Sequence, residues 1–388
     1  MIGIDKINLF TPGAYVDLTE LAKARNIDPD KFTIGIGQER MAIAPITQDC
    51  YSMAANACVD IVDDSDKKLI DLVIFATESS NDYSKSGAVI VQKLTGIHNF
   101  TRSFEIKQAC FGATAGILLA KDYIKNHPGR KALVVGSDIA KYGLDTPGEV
   151  TQGAGAVAML ISENPRLIAL DDISVPYADD VYDFWRPEYS DVPFVDGKFS
   201  NQNYLDFFKN VWTRYREVTN AKLDDFTALC FHLPYTKMGL KALKTILDEA
   251  SEAKQEELLQ NFTNSAKYTR YIGNLYTASL YLSILSLLNN AHDLKAGDKI
   301  GFFSYGSGAS SEFFTGHIVE GFKDHLQSEK YENTLNTREI LSIAEYESLF
   351  NKKATPDTPQ ADFKCAFDRS RFYLSQIKNN IRMYQERK

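Results

Sequence analysis

The sequence predicts an α/β fold built from two halves that share one internal order. Three observations carry this. Apolar, β-branched runs at 69–76 and 226–233 read as strands covered on both faces, and they lead to Glu78 and His232. Two apolar helical stretches open at Cys110 and at Asn274. Each is followed by another buried strand, at 131–135 and 299–303, and then by a glycine-led segment, GAGAVAML or GSGASSEFF. Two βαβ-rich halves packed about a pseudo-twofold axis bring corresponding strand and helix ends together. Glu78, Cys110, His232 and Asn274 are therefore expected in one pocket.

Taken in order, residues 2–10 (IGIDKINLF) alternate as a strand, ended by Pro12 and Gly13. A helix is expected over about 18–25, a glycine-bearing loop region at 33–43, and helical spacing over 49–62. The strand at 69–76 closes on Thr77-Glu78-Ser79-Ser80; a carboxylate at a buried strand end is costly unless paired or used. A helix over 84–94 leads to FEIKQACFGATAGILL at 104–119. Cys110 is expected at the N-terminus of that helix, where unpaired N–H groups and the macrodipole favour a thiolate. Gly112, Ala113, Ala115 and Gly116 suit a helix buried on all sides. A polar loop is expected at 137–152, between the strands at 131–136 and 153–161.

Residues 167–203 are irregular, aromatic and proline-bearing, and read as a connecting, site-covering segment. A helix over 202–218 precedes the strand that ends at His232. Beyond Pro234 a helix carries Lys237, Lys241 and Lys244, and 248–267 is an acidic helical section. The second apolar helix, 271–288, opens with Gly273-Asn274, and the strand at 299–303 runs into Ser304-Tyr305-Gly306-Ser307-Gly308. The remainder, about 318–388, reads as mostly amphipathic helix, with one start marked by the capping box Ser342-x-x-Glu345.

Composition narrows the function. A chain of 388 residues, 44% hydrophobic and 24% charged, is an ordinary soluble globular protein. Its net charge of −8 argues against non-specific nucleic-acid binding. No signal peptide is expected, because Met1 leads straight into a short apolar strand, and no apolar run approaches the roughly 20 residues of a membrane span. Five cysteines without CxxC spacing indicate neither a disulfide framework nor a zinc site. A cytoplasmic protein with no metal and no membrane association is the expectation. Taken singly, Cys110 reads as a buried structural thiol, Glu78 as a carboxylate satisfied by loop amides, His232 as a core histidine, and Asn274 as a helix cap. Cys230 shares the face of His232 by strand alternation and reads as core.

Seven motifs, in order along nearly the whole chain, change those odds. ATESS at 76–80, FEIKQACFGATAG at 104–116, TQGAGAVAML at 151–160, YDFWRP at 182–187, FHLPYTKMG at 231–239, GNLYTASLYL at 273–282 and FSYGSG at 303–308 resemble the bacterial hydroxymethylglutaryl-CoA synthases. The resemblance implies the thiolase fold: two pseudo-symmetric halves in a five-layered α-β-α-β-α core, generally a homodimer. The halves would be 1–165, with Glu78 and Cys110, and 166–388, with His232 and Asn274, the connecting segment 166–203 and a helical C-terminal region. It further implies condensation of acetyl-CoA with acetoacetyl-CoA and water to 3-hydroxy-3-methylglutaryl-CoA and CoA, in the mevalonate route. The CoA thioesters are substrates, and no other cofactor is implied.

In that reading Cys110 carries the acetyl group as a thioester, Glu78 is the general acid/base, and His232 polarises the acetoacetyl group. A thioester keeps the α-proton acidic, and a buried carboxylate suits its removal. Asn274 would contact the acyl chain, with Tyr142, Thr151, Ser200 and Ser307 at further substrate positions. Lys237 and Lys241 match CoA-contacting lysines; with Lys244 they stand at i, i+4 and i+7, a cationic helix face for a polyanionic ligand. Asp28 and Pro29 align near a CoA-contacting loop. Two positions depart from the family pattern: Pro29, where many members carry a small residue, and Val150, where proline usually precedes the threonine. A ketoacyl synthase of the Cys-His-Asn type would leave Glu78 unused, and a thiolase would want a second cysteine near 306–310. A non-catalytic CoA-binding relative has no need of an intact Glu78, Cys110 and His232.

Overall fold

In the computed structural model, which describes residues 1–190 and 192–387, nine strands join in one sheet. They are β1 (Ile2–Phe10), β2 (Ile70–Ala76), β3 (Arg102–Ile106), β4 (Lys131–Ala140), β5 (Gly153–Glu163), β6 (Ile168–Ala178), β7 (Ala228–Phe231), β8 (Lys299–Gly306) and β9 (Ser310–Ile318). The order is β7-β8-β9-β6-β1-β5-β4-β2-β3. At each outer end the strands run parallel, and toward the middle they turn antiparallel. The seam is thin: β1 meets β6 only at Gly3–Ala169 and Ile4–Ile168.

Helices fill the space on both sides of the folded sheet because successive strand residues point to opposite faces. The inner layer is α3 (Gly112–Asn126) and α7 (Ser279–Asn290). Ala113, Ile117, Leu280 and Ile284 pack there against Ile74 and Val134 from one end of the sheet and Ile300 and Phe302 from the other. The residues next along, Val73, Phe75 and Val135, face α1 (Cys50–Val59) and α2 (Gly87–Thr95). Phe231, Phe303 and Phe313 likewise face α4 (Gly197–Thr219), α5 (Met238–Leu243) and α6 (Glu252–Ile272). These are the five expected layers.

Several elements differ from the sequence reading. The 33–43 loop is a π-helical turn, Lys31–Ile36, followed by a short strand, Arg40–Ala42. Strand β4 continues through Ala140, so Ser137 and Asp138 are buried strand residues rather than loop. The segment from 167 opens with the eleven-residue β6, whose later residues lack a partner on one side among the described residues, which is how it tolerates charges and Pro176. α4 begins at Gly197, ahead of the expected 202, because Asp196 caps it through the amides of Lys198 and Phe199. α3 keeps one open stripe, with Leu119 50% exposed; burial on all sides belongs to α7 instead. The C-terminal region is only partly helical. Ser342 does cap Ile343–Asn351 as read, but Phe372–Lys378 and Ile381–Glu386 form a hairpin. Its two-residue turn is Asn379-Asn380, both at positive φ, the left-handed geometry asparagine accepts.

Two glycines lock the halves to each other in a reciprocal way. A Cβ on Gly153 would lie 2.6 Å from the Asn274 carbonyl oxygen, and one on Gly306 would lie 2.7 Å from the Gln108 carbonyl oxygen and the Phe111 nitrogen. Gly153, which opens β5, and Gly306, which ends β8, thus each press backbone to backbone on the turn that opens the other half's buried helix. Gly306→Ala is expected to lower stability by about 1–3 kcal/mol, because rigid backbone must shift. Gly197→Ala, with nothing among the described residues within 4 Å of its new Cβ, should leave stability within about 0.5 kcal/mol or raise it. Denaturant unfolding of both variants checks this; equal effects would contradict the contact.

Candidate active site

Cys110 does not start a helix. α3 begins at Gly112, and the cysteine sits in the tight turn before it, after Ala109 at φ 41. A non-glycine residue in that region is strained and is held there by its surroundings. The expected low-pKa thiol is also corrected. Burial, then the nearby Glu78 carboxylate, push the Cys110 thiol well above its ordinary value. The thiol donates a hydrogen bond to Glu78 Oε1, with sulfur and oxygen 3.3 Å apart.

Glu78 lies two residues beyond β2, and its carboxyl is pushed up to about 8, mainly by burial and then by the charge of Asp138. Arg186 opposes the shift, and its guanidinium donates to the Glu78 backbone carbonyl. The reading of Glu78 as satisfied by loop amides does not hold. Among the described residues its carboxylate accepts from Cys110 and from no backbone amide.

His232 follows directly on β7. Its backbone N–H donates to the Phe303 carbonyl at 2.8 Å, and its backbone carbonyl accepts from the Tyr204 hydroxyl at 2.6 Å. Burial holds the imidazole down to about 3, so it is neutral at physiological pH. Its Nδ1 is buried without a hydrogen-bond partner among the described residues. Asn274 stands ahead of α7 and does part of what a cap does: Oδ1 accepts from Tyr276 N and Ser279 Oγ, both at 2.8 Å. Its Nδ2 is turned to the Tyr142 hydroxyl at 3.1 Å.

Cys110, His232 and Asn274 line one cavity of about 510 Å³, together with Tyr142, Thr151, Ser200 and Ser307. Glu78 is behind Cys110 rather than on the wall. Lys237, Lys241, Asp28 and Pro29 are not on the wall either. Lys237 and the 28–37 segment touch one another: Lys237 Nζ donates to Ile34 O at 2.5 Å, and the Pro29 carbonyl accepts from Phe32 N and Thr33 N at 3.0 Å. The Asp28 carboxylate accepts from Asp30 N at 3.1 Å, and Lys241 donates to the Tyr235 hydroxyl at 2.8 Å. Tyr235 does line the cavity, so the two lysines and the 28–37 turn sit beside its rim. Lys244 lies just past α5, as its C-cap. Cys230 is core, as read.

Sequence reasoning missed four site residues. Asp138, 0% exposed, accepts at Oδ1 from Thr77 Oγ1, Glu78 N and Ser79 Oγ, each at 2.8 Å. At Oδ2 it accepts from Thr277 Oγ1 at 2.5 Å and Thr277 N at 3.1 Å. The signal was the one used for Glu78, a carboxylate in a buried strand. Asp183, also fully buried, accepts from the Tyr305 hydroxyl at 2.7 Å, Gly308 N at 2.9 Å and Ser200 Oγ at 3.3 Å, tying the covering segment to the Ser307 loop. Arg186 and Tyr276 carried no periodicity that would single them out.

Comparison with known proteins agrees with this geometry. Residues 1–165 match the family profile for hydroxymethylglutaryl-coenzyme A synthase N terminal, and 168–269 and 252–387 match that for its C terminal. The hydroxymethylglutaryl-CoA synthase of Enterococcus faecalis is 51% identical over 384 residues, 99% of each chain. A solved HMG-CoA synthase complexed with CoA superimposes with a TM-score of 0.96 at 44% identity, covering 100% of both chains. A second solved structure, a complex with 3-hydroxy-3-methylglutaryl coenzyme A, gives a TM-score of 0.90 at 33% identity, covering 100% of this chain and 99% of the other. The chain, with its thiolase fold, belongs to the hydroxymethylglutaryl-coenzyme A synthase family.

Proposed function

We propose that this chain condenses acetyl-CoA with acetoacetyl-CoA and water, giving 3-hydroxy-3-methylglutaryl-CoA and CoA for the mevalonate route. The observation that carries the reading is the thiol of Cys110 donating to the Glu78 carboxylate beside a cavity lined by His232 and Asn274. Cys110 gives up its proton, attacks the acetyl-CoA carbonyl and becomes the acetyl thioester, while the CoA sulfur leaves with that proton, relayed by Glu78. The Glu78 carboxylate then takes a proton from the acetyl methyl group, and the resulting carbon attacks the acetoacetyl ketone. The alkoxide takes the proton back from Glu78, and water hydrolyses the Cys110 thioester to release the product.

Each group has the ionisation this asks for. A carboxyl near 8 is a base strong enough to abstract a carbon-bound proton and an acid at hand to return it. A neutral His232 donates an N–H toward the ketone oxygen without carrying a charge that the buried site would penalise. Tyr142, Thr151, Ser200 and Ser307 are read as acyl-chain contacts on the cavity wall. Lys237, Lys241, Asp28 and Pro29 are read as contacts to the CoA outside it. The CoA thioesters are substrates, and the chemistry asks for no further cofactor.

We read 1–165 and 166–388 as the two related halves. A homodimer is supported by Tyr83 and Phe100, 100% and 95% exposed, and by the open outer edge of β3 just beyond Phe100. A cytoplasmic location is supported by five free thiols.

Intact-mass measurement after mixing with acetyl-CoA should show an adduct of roughly +42 Da that is missing in Cys110→Ala. Glu78→Ala loses the proton relay but also the charge and hydrogen bond that hold the thiol up, so its adduct should still form. Condensation by that variant should fall by about 10²–10⁴-fold. An unmodified wild type, or a condensing Glu78→Ala, would remove the corresponding assignment. Lys237→Ala and Lys241→Ala should each raise KM for acetyl-CoA by about two- to fivefold, as exposed cation–phosphate pairs do, with kcat nearly unchanged and the difference fading at high salt. Unaltered KM at low salt would move the CoA site elsewhere.

A further inference from the structure

One loop supplies Tyr142, Thr146, Pro147, Gly148 and Thr151 to the cavity wall, yet groups from outside the site hold it in shape. Its backbone is not one a chain adopts by default: Gly143 stands at φ 104 and Asp145 at φ 53. Val150, 2% exposed, does not lock its φ as the proline of the family pattern would. The fixing of this loop therefore falls to side-chain contacts.

Those contacts form one chain of hydrogen bonds. Glu149, 3% exposed, accepts at Oε2 from Arg25 Nε and Asp145 N, both at 2.9 Å. At Oε1 it accepts from Arg25 Nη2 at 2.8 Å and from the Tyr346 hydroxyl at 3.0 Å. The same hydroxyl accepts from Gln152 Nε2 at 2.8 Å, and Gln152 Oε1 accepts from Tyr142 N at 2.7 Å. Gln152 thus ties the far end of the loop to its near end, where the Tyr142 hydroxyl meets Asn274 Nδ2 at 3.1 Å. Arg25 stands just past the helix Leu18–Ala24, and Tyr346 lies 1% exposed in the helix Ile343–Asn351. A buried ion pair contributes little net stability, so what Arg25 and Glu149 supply here is a fixed geometry.

We propose that Tyr346 is a positioning residue for acetoacetyl-CoA: its phenol links the Arg25–Glu149 anchor to Gln152, and Gln152 sets where Tyr142 stands on the cavity wall. This rests on the reaction proposed above. Tyr346 is not on the wall itself, so it acts only through the loop. A loop ordered beforehand spares the substrate the cost of ordering it, and the gain shows in binding. Cys110 and Glu78 belong to other turns, and Asp138 receives the Glu78 amide at 2.8 Å, so the acetylation step is independent of this link.

Tyr346→Phe keeps the ring and cuts the link. KM for acetoacetyl-CoA should rise about three- to tenfold, as loss of one buried hydrogen bond allows, with kcat within about twofold and acetylation of Cys110 at the wild-type rate. Gln152→Met cuts the link at its other end and should raise KM likewise; adding Tyr346→Phe to it should raise KM no further, because both act through one path. Glu347→Gln, which removes only the half-exposed pair with Arg25, should leave KM within about twofold. Amide hydrogen exchange over 142–152 should quicken in Tyr346→Phe, a readout that needs no turnover. Unchanged KM or unchanged exchange would overturn the proposal. So would a fall in kcat at constant KM (the mark of a smaller folded fraction), an additive double variant, or a Glu347→Gln effect equal to that of Tyr346→Phe. A wild type that does not condense is a separate result, which removes the assigned reaction and with it the acetoacetyl ligand, whatever the exchange rates are.

Discussion

One buried carboxylate holds the two halves of this site in register. Asp138 receives five hydrogen bonds, three at one oxygen from the loop that carries Glu78 and two at the other from Thr277 in the opposite half. Burial drives its carboxyl up, while the donors pull the other way. A carboxylate removed from water is tolerated only when its lone pairs are answered in this way. Without it, the loop bearing Glu78 and the turn bearing Asn274 and Tyr276 would have no common anchor. Its charge also helps to keep the neighbouring Glu78 carboxyl protonated to unusually high pH.

The chemistry then follows from enclosure more than from helix dipoles. Cys110 and Glu78 are both pushed up, so the proton between them is shared by groups of raised affinity, and His232 is neutral for the same reason of burial. Strain enters at two matched places, Ala109 before Cys110 and Tyr276 before α7. Gly153 and Gly306 permit the close packing that holds these turns, each from the other half. The site is therefore a property of the interface between halves, and neither half contains all of it.

Much of this was legible in the sequence. Glu78, Cys110, His232 and Asn274 could be found because buried strands and helices leave strong apolar runs, and their ends are marked by residues that do not belong in a core. Asp138 escaped because the glycine and serine at 136–137 broke the apolar run and made a continuing strand look like loop. Tyr276 escaped because one more aromatic in an apolar stretch carries no signal of strain or of an unpartnered hydroxyl. Strand β6 was hidden by its acidic residues and Pro176, tolerable where the strand lacks a neighbour, and the C-terminal hairpin by a turn of two asparagines without glycine. The cysteine was found but its ionisation was misjudged, since helix spacing shows neither the burial of the thiol nor the Glu78 carboxylate beside it.

The central claim is that enclosure beside Asp138 makes Glu78 a base poised near neutrality. Infrared difference spectroscopy of the carboxyl band, with Glu78→Gln as the reference, measures this directly. The carboxylate signal should grow in with a midpoint near pH 8, and condensation should rise with pH through the same midpoint, because the base is the ionised form. Ionisation near the ordinary glutamate value of about 4.3 would contradict the account.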